Sequence, residues 1–178
     1  MQDNDKKTRV LIVGGSGRIG QMLRKHWFSC PPKHLGLSFQ TRRHVAATPD
    51  DILWDPTRDP SDVLQQYGRF NSMVVLSGVV PRSGADFAQN TAIANACLDA
   101  AAACNIPQVL LASTSAVYGA PTCGALHEDT TPHPLNDYGR SKLAMETAAI
   151  TKAKALGLRL SCLRIGNVAG ADALLVNV

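Results

Sequence analysis

Tyr138-Gly139-Arg140-Ser141-Lys142 sets a tyrosine and a lysine four residues apart at the start of a helical pattern. Residues at that spacing share one helical face, a turn of about 5.4 Å apart along the axis. A free phenol, with a pKa of about 10, is a poor base at neutral pH; a neighbouring ammonium favours its ionised form and lowers that value. Such a pair can move protons. The same spacing also occurs as a solvated packing pair on exposed helices, so the chemistry depends on whether the rest of the chain builds a cofactor site around it.

The elements upstream are of the kind that would. Arg9-Val10-Leu11-Ile12-Val13 reads as a buried parallel strand running into Gly14-Gly15-Ser16-Gly17-Arg18-Ile19-Gly20, then an apolar-periodic helix to about Phe28. Strand, glycine turn and helix in that order are the context of a dinucleotide fingerprint, and two registers fit, Gly15-x-Gly17-x-x-Gly20 and Gly14-x-x-Gly17-x-x-Gly20. Glycines let a pyrophosphate approach the backbone, and the helix start offers a positive dipole end. A second strand is expected at 34–39. An acidic residue near its end would hold a ribose 2'-hydroxyl, yet none occurs from Ser16 through Pro49. Arg18, Arg42 and Arg43 fall where a 2'-phosphate could sit, and guanidinium suits that dianion, so NADP(H) is preferred to NAD(H).

Asp51-Ile52-Leu53-Trp54 reads as a third strand, and Asp55-Pro56 as a turn where an adenine could lie. A helix is expected over 60–67, ending at Gly68. Met73-Val74-Val75-Leu76 forms a fourth strand that closes on the small Ser77-Gly78, and an alanine-rich helix is expected over 84–104. Asn90 within it could bond a loop backbone or the cofactor. The fifth strand, 108–112, delivers Ser113-Thr114-Ser115 to its carboxyl end, the edge where open parallel sheets bind ligands. Those hydroxyls are either turn formers or donors to a reacting carbonyl. Residues 120–137 form a long polar loop, whose His127, Glu128, Asp129 and His133 are loop groups, not a metal site. The Tyr138 helix runs to about Leu156, and a sixth strand spans 158–163.

Alternating strands and helices imply one doubly wound, Rossmann-like α/β domain with a parallel sheet over residues 1–178. Residues 1–8 are expected as a flexible N-terminus and 171–178 as the start of a truncated C-terminal part. A length of 178 residues, 45% hydrophobic, suits one core. The net charge of +4, with three Tyr, two Trp and four Phe and no long basic run, argues against a nucleic-acid surface. No membrane-spanning or signal segment is read. Five widely spaced cysteines without Cys-x-x-Cys fit reduced thiols, hence a cytoplasmic chain.

Five motifs occur in order: the glycine turn at 14–20, Leu76-Ser77-Gly78, Ser113-Thr114-Ser115-Ala116-Val117-Tyr118-Gly119, Tyr138-Gly139-Arg140-Ser141-Lys142 and Leu163-Arg164-Ile165-Gly166-Asn167-Val168. Together they resemble the extended short-chain dehydrogenase/reductases, the branch of NAD(P)-dependent sugar epimerases and dehydratases. The resemblance implies Tyr138 as general acid/base, Thr114 holding the same substrate oxygen and Lys142 bonding the nicotinamide ribose. It further implies that Leu76, Ser77, Gly78, Asn90 and Ile165 line the cofactor, that Asp55 approaches the adenine and that Asn167 faces the substrate, with Ser115 a second candidate hydroxyl. The substrate class implied is a sugar nucleotide or similar carbonyl or alcohol, and a homodimer is consistent with the family.

Two departures qualify this. Gln40-Thr41-Arg42 stands where many epimerases carry an acid, favouring NADP, and the family's C-terminal substrate region is largely missing. Two other readings compete. A nucleotide-binding sensor would keep the fold without turnover but has no need of Tyr138. An inactive fragment of a longer enzyme would expose apolar surface and associate.

Overall fold

The computed structural model describes residues 7–42, 51–120 and 125–168. Its six strands are β1 (Thr8–Val13), β2 (Leu35–Thr41), β3 (Asp51–Leu53), β4 (Ser72–Val75), β5 (Gln108–Thr114) and β6 (Arg159–Ile165). All pair in parallel in the order β3-β2-β1-β4-β5-β6. That order reverses direction between β1 and β4. In open α/β sheets such a switch point opens a crevice at the carboxyl ends of the strands.

Helices cover both faces. Leu11, Val13, Met73, Val75, Val109 and Leu111 point to one side and are at most 2% exposed. There they meet α3 (Gln89–Ala103) and α4 (Asp137–Ala155) through Ala94, Leu98, Ala101, Met145, Ala149 and Ala153. Alanines at those contacts let the helices lie close to the sheet. On the other side, where Ile12 and Phe39 pair in register, lies α1 (Arg18–Ser29). Its Arg24 stacks over the Phe39 ring at 4.4 Å and pairs with Asp51 at 2.5 Å. The doubly wound architecture read from the sequence is therefore the one observed.

Several boundaries differ from expectation for local reasons. The helix expected from residue 84 begins at Gln89 instead. Gly84 takes φ +67°, and the Asp86 carboxylate accepts from the Ala88 N–H at 3.1 Å, holding the preceding stretch as turns. The 60–67 helix contracts to α2 (Asp62–Gln65). β5 runs two residues further than expected, carrying Ser113 and Thr114 within the strand. Helix ends follow the usual stops: Asn105 at φ 54° lets Ile106 N–H reach the Ala101 carbonyl at 2.8 Å, and Gly157 at φ 68° lets Leu158 N–H reach Ala153 at 2.9 Å. Arg43, most of the expected N-terminal 1–8 stretch and the 171–178 tail lie outside the described residues.

Candidate active site

Two adjoining clefts open along the carboxyl edge of the sheet, sharing Gly14, Gly17, Leu76 and Gly78. The smaller, of about 530 Å³, runs over the end of β2 and holds Ser77, Arg42 and Asp55. The larger, of about 730 Å³, lies over β5 and β6 and brings Arg18, Ile19 and Gly20 together with Thr114, Tyr138, Lys142, Ile165 and Asn167. Residues separated by more than a hundred positions in the sequence thus face one space.

The glycine turn forms the shared wall. Gly14 has φ +93°, and a Cβ there would come within 2.8 Å of both the Ser77 N–H nitrogen and its Oγ. A side chain is excluded by space as well as by conformation. A Cβ on Gly20 would lie 2.4 Å from the Gly14 carbonyl oxygen, so helix and turn are packed backbone to backbone. Gly17 caps α1 with no side-chain hydrogen bond, and no acidic residue stands in the first turn. The positive end of the helix is therefore left to the clefts, which suits an anionic pyrophosphate.

At the end of β2, Gln40 replaces the acid the sequence lacks and does something else. Buried at 1% exposure, it accepts from the Gly14 N–H through Oε1 at 2.8 Å and donates from Nε2 to the Trp54 carbonyl. Its amide fastens the turn to Trp54 just after β3; of the three arginines expected at a 2'-phosphate, Arg43 lies outside the described residues, Arg18 lines the larger cleft, and Arg42 lines the smaller one with Asp55. Burial pushes the Asp55 carboxyl upward, but hydrogen bonds from Thr57 and the charges of Arg42 and Arg58 outweigh it and leave the group below its ordinary value.

The larger cleft is built by three short segments. Thr114 ends β5 and caps a 3-10 turn (Ser115–Tyr118), its Oγ1 accepting from the Ala116 N–H at 3.2 Å. Asn136 caps α4 by accepting from the Gly139 N–H at 2.8 Å, which fixes the first turn that carries Tyr138. The Phe87 ring leans on Tyr138 with centroids 5.8 Å apart. One turn on, Lys142 is 5% exposed, and its Nζ donates to the Ala112 carbonyl at 2.8 Å and to Met145 Sδ at 3.5 Å.

In the chain alone the neighbouring ammonium does not lower the phenol. Burial raises the Tyr138 phenol above its ordinary value, and the opposing influence is a hydrogen bond with Thr114, not the lysine. Lys142 turns its ammonium to the strand. Burial pushes it down to about 8, against the opposing charges of Glu146 and Cys162.

Of the remaining expected residues, Asn90 lines neither cleft. Its Oδ1 accepts from the Val79 N–H at 2.8 Å and its Nδ2 donates to the Val79 carbonyl at 3.3 Å and to Ser141 Oγ at 3.2 Å. Of the two roles open to it, the structure gives it the loop backbone. Ser115 stands behind the wall, its Oγ about 4.0 Å from where a Cβ on Gly166 would be. Two further residues line the clefts, Arg82, which the sequence reading did not name, and Ser113, which it named only as one of three candidate hydroxyls. Arg82 lines the smaller cleft. Ser113 lines the larger, with a buried hydroxyl that has no hydrogen-bond partner; a polar ligand atom would satisfy it. Its position at the carboxyl end of a strand was the available signal. No cluster of three or more His, Cys, Asp or Glu able to hold a metal occurs among the described residues, and no described helix is long and apolar enough to cross a membrane.

Comparison with known proteins gives a consistent picture. A UDP-glucose 4-epimerase of Azospirillum brasilense is 33% identical over 174 residues, 92% of this chain and 50% of that protein. Another from Rhizobium meliloti (strain 1021) is 34% identical over 181 residues, 97% of this chain and 54% of that protein. The crystal structure of UDP-glucose 4-epimerase from Brucella ovis in complex with NAD shares the fold, with a TM-score of 0.76 at 23% identity, over 90% of this chain and 52% of that one. The chain spans about half the length of the curated relatives it matches. Residues 10–175 match the NAD dependent epimerase/dehydratase family, and with the glycine turn, Thr114, Tyr138 and Lys142 standing along one sheet edge, the chain belongs to that family.

Proposed function

We propose that this chain is the dinucleotide-binding part of an NAD(P)-dependent epimerase or related oxidoreductase acting on a sugar nucleotide or similar carbonyl or alcohol. The observation that carries the reading is the convergence of the glycine turn with Thr114, Tyr138 and Lys142 on one cleft. The curated relatives named UDP-glucose 4-epimerase support the substrate class.

In this reading the positive end of α1 and the backbone of the glycine turn hold the pyrophosphate. The adenosine end lies in the smaller cleft against Asp55, and the nicotinamide end reaches the larger one, where Lys142 bonds its ribose. When bound, the nicotinamide supplies an acceptor and donor for hydride, the part of the chemistry no side chain provides. Tyr138 takes the proton from a substrate hydroxyl as the carbon loses hydride and returns it in the reverse step. Thr114 bonds the same substrate oxygen and, through its hydrogen bond to Tyr138, keeps the phenol aimed at it. Asn167 borders the substrate side, with Ser115 behind that wall.

NADP(H) is preferred over NAD(H), because Arg42 follows a β2 end whose Gln40 is occupied by the Gly14 N–H and the Trp54 carbonyl. Among the described residues no carboxylate stands at the end of β2 itself, and a guanidinium favours a 2'-phosphate. The NAD named with the Brucella ovis structure makes the opposite preference the competing outcome. Calorimetric titration of the chain with NADP+ and with NAD+ separates the two. Expected is tighter binding of NADP+, with Arg42→Ala weakening it about tenfold or more while barely changing NAD+. Equal losses for both would return Arg42 to a solvated role, and no binding of either by folded protein would remove the cofactor reading.

A further inference from the structure

Beneath the larger cleft lies an ion pair that the mechanism above does not use. Glu146, one helical turn beyond Lys142, is 2% exposed. Arg164 forks it, with Nε 3.2 Å from both carboxylate oxygens and Nη2 2.8 Å from Oε2. The remaining arm of the guanidinium, Nη1, donates to the Tyr118 hydroxyl at 2.9 Å, and the guanidinium lies over the Tyr118 ring at 4.8 Å. One arginine therefore joins α4, the 3-10 turn that follows Thr114, and β6 just before Ile165. α4 and the end of β6 contribute walls of the cleft through Tyr138, Lys142 and Ile165, and the turn follows directly on Thr114, which lines it too.

We propose that Glu146 and Arg164 are a positioning pair for Lys142: the forked carboxylate keeps the ammonium charged and holds the three segments around it in one register. The proposal rests on the reading of Lys142 as the ribose-binding lysine. The groups facing Lys142 are few. Its own helix supplies Glu146 and the Met145 sulfur, β6 supplies Cys162, β5 supplies the Ala112 carbonyl, and the β4 loop supplies Gly78, which carries no charge; Arg164 reaches the lysine only through Glu146. A Cβ on that glycine would sit 3.5 Å from Nζ, so the amine is enclosed on the loop side as well. In such a site a charged amine persists through an opposite charge nearby, and the arginine keeps that opposite charge from being buried unpaired.

A pair that serves stability alone can be exchanged for neutral groups without moving the lysine. A positioning pair cannot lose one member without doing so, and the two losses have opposite signs. Glu146→Gln removes the carboxylate that supports the charge on Lys142 and should favour its uncharged form. Arg164→Gln leaves the carboxylate facing the lysine alone and should favour the charged form. The readout is the pH dependence of Lys142 acetylation in the full chain without dinucleotide, mapped by peptide mass, since only the uncharged amine reacts.

Expected at pH near neutrality is about a tenfold faster reaction in Glu146→Gln, equivalent to one pH unit, a severalfold slower one in Arg164→Gln, and a return to within about twofold in the double variant. Shifts in the same direction, or none, in folded protein overturn the proposal. Should Glu146→Gln fail to fold, Arg164→Gln, whose side chain is 23% exposed, decides alone, and an unchanged or faster reaction there is fatal. Titration of the same proteins with NADP+ keeps the two readings apart. Opposite shifts without any dinucleotide binding sink the proposed function and leave the pair standing, whereas binding without shifts sinks the pair.

Discussion

The two ends of the crevice are made differently. At the β2 end, recognition falls to groups partly open to water: Arg42, Asp55 with an 18% exposed side chain, and Arg58 beyond it at 83%. Their charges are screened, and exchanging one adjusts a preference. At the β5 and β6 end, Lys142 and Glu146 are at most 5% exposed, and Ser113 keeps a buried, unpartnered hydroxyl. Here a polar group has few partners, so each loss is large and each pairing is specific. The open end can vary its ligand without disturbing the fold, while the closed end commits the chain to one arrangement of groups. In the proposed function the chemistry falls at the closed end, beside the buried Lys142.

The strongest way to break that contrast is Tyr138→Phe. It keeps the ring against Phe87 and deletes the hydroxyl alone. Under the proposed function, turnover should fall by about 10²–10⁴ or more, with dinucleotide affinity within about twofold of the parent. Steady-state rates beside a calorimetric titration check both halves of the statement. Undiminished turnover would remove the phenol from the mechanism, and a matching loss of cofactor affinity would make the tyrosine a binding residue.

Gln40→Leu probes whether the open end has a closed root. The substitution preserves size but leaves the Gly14 N–H and the Trp54 carbonyl without their partner. A buried carbonyl and a half-buried N–H left unpaired cost about 2–4 kcal/mol together, read as a lower urea midpoint at unchanged m-value. The glycine turn should loosen with it, weakening NADP+ and NAD+ alike. A loss confined to one dinucleotide would show that Gln40 reads the ribose and does not merely brace the turn.

What the sequence made legible follows the same division. Strands buried on both faces and punctuated by glycine announce themselves locally, which is why β1, the turn at 14–20 and the order of alternating elements could be read directly. The start of α3 could not, because it depends on Asp86 capping a turn after Gly84. Thr114, Tyr138 and Lys142 were legible through the resemblance, but not the direction in which their environments push them. The lysine's orientation depends on the Ala112 carbonyl thirty residues away, and Glu146 finds Arg164 across eighteen. Spacing of four from Lys142 to Glu146 was visible in the sequence, and it was the one signal of that pairing available there. Gln40 was noticed for what it is not, an acid. Its actual role needed the proximity of the glycine turn.

Lys142→Met sets function against stability at the closed end. The substitution keeps the length of the chain and removes the charge, and the sign of its effect depends on pH. Below about 8 the amine is charged in folded and unfolded chain alike, and its burial is a cost to the fold. Between about 8 and the ordinary 10.5 the unfolded chain holds a proton that the folded one has released, so stability rises with pH. The buried thiols act in the opposite sense. Cys162 is pushed up to about 11 and Cys97 to about 12 from 9.0, so their contribution is complete below pH 9 and is lost above it. The lysine therefore dominates between pH 8 and 9, where urea midpoints of the parent should climb and those of Lys142→Met should stay level. At pH 7 the methionine variant should be the more stable by about 1–3 kcal/mol, less what the unpaired Ala112 carbonyl costs. A parent that is as level as its variant between pH 8 and 9 would mean that the lysine escapes to water, and the closed end would then be no more enclosed than the open one.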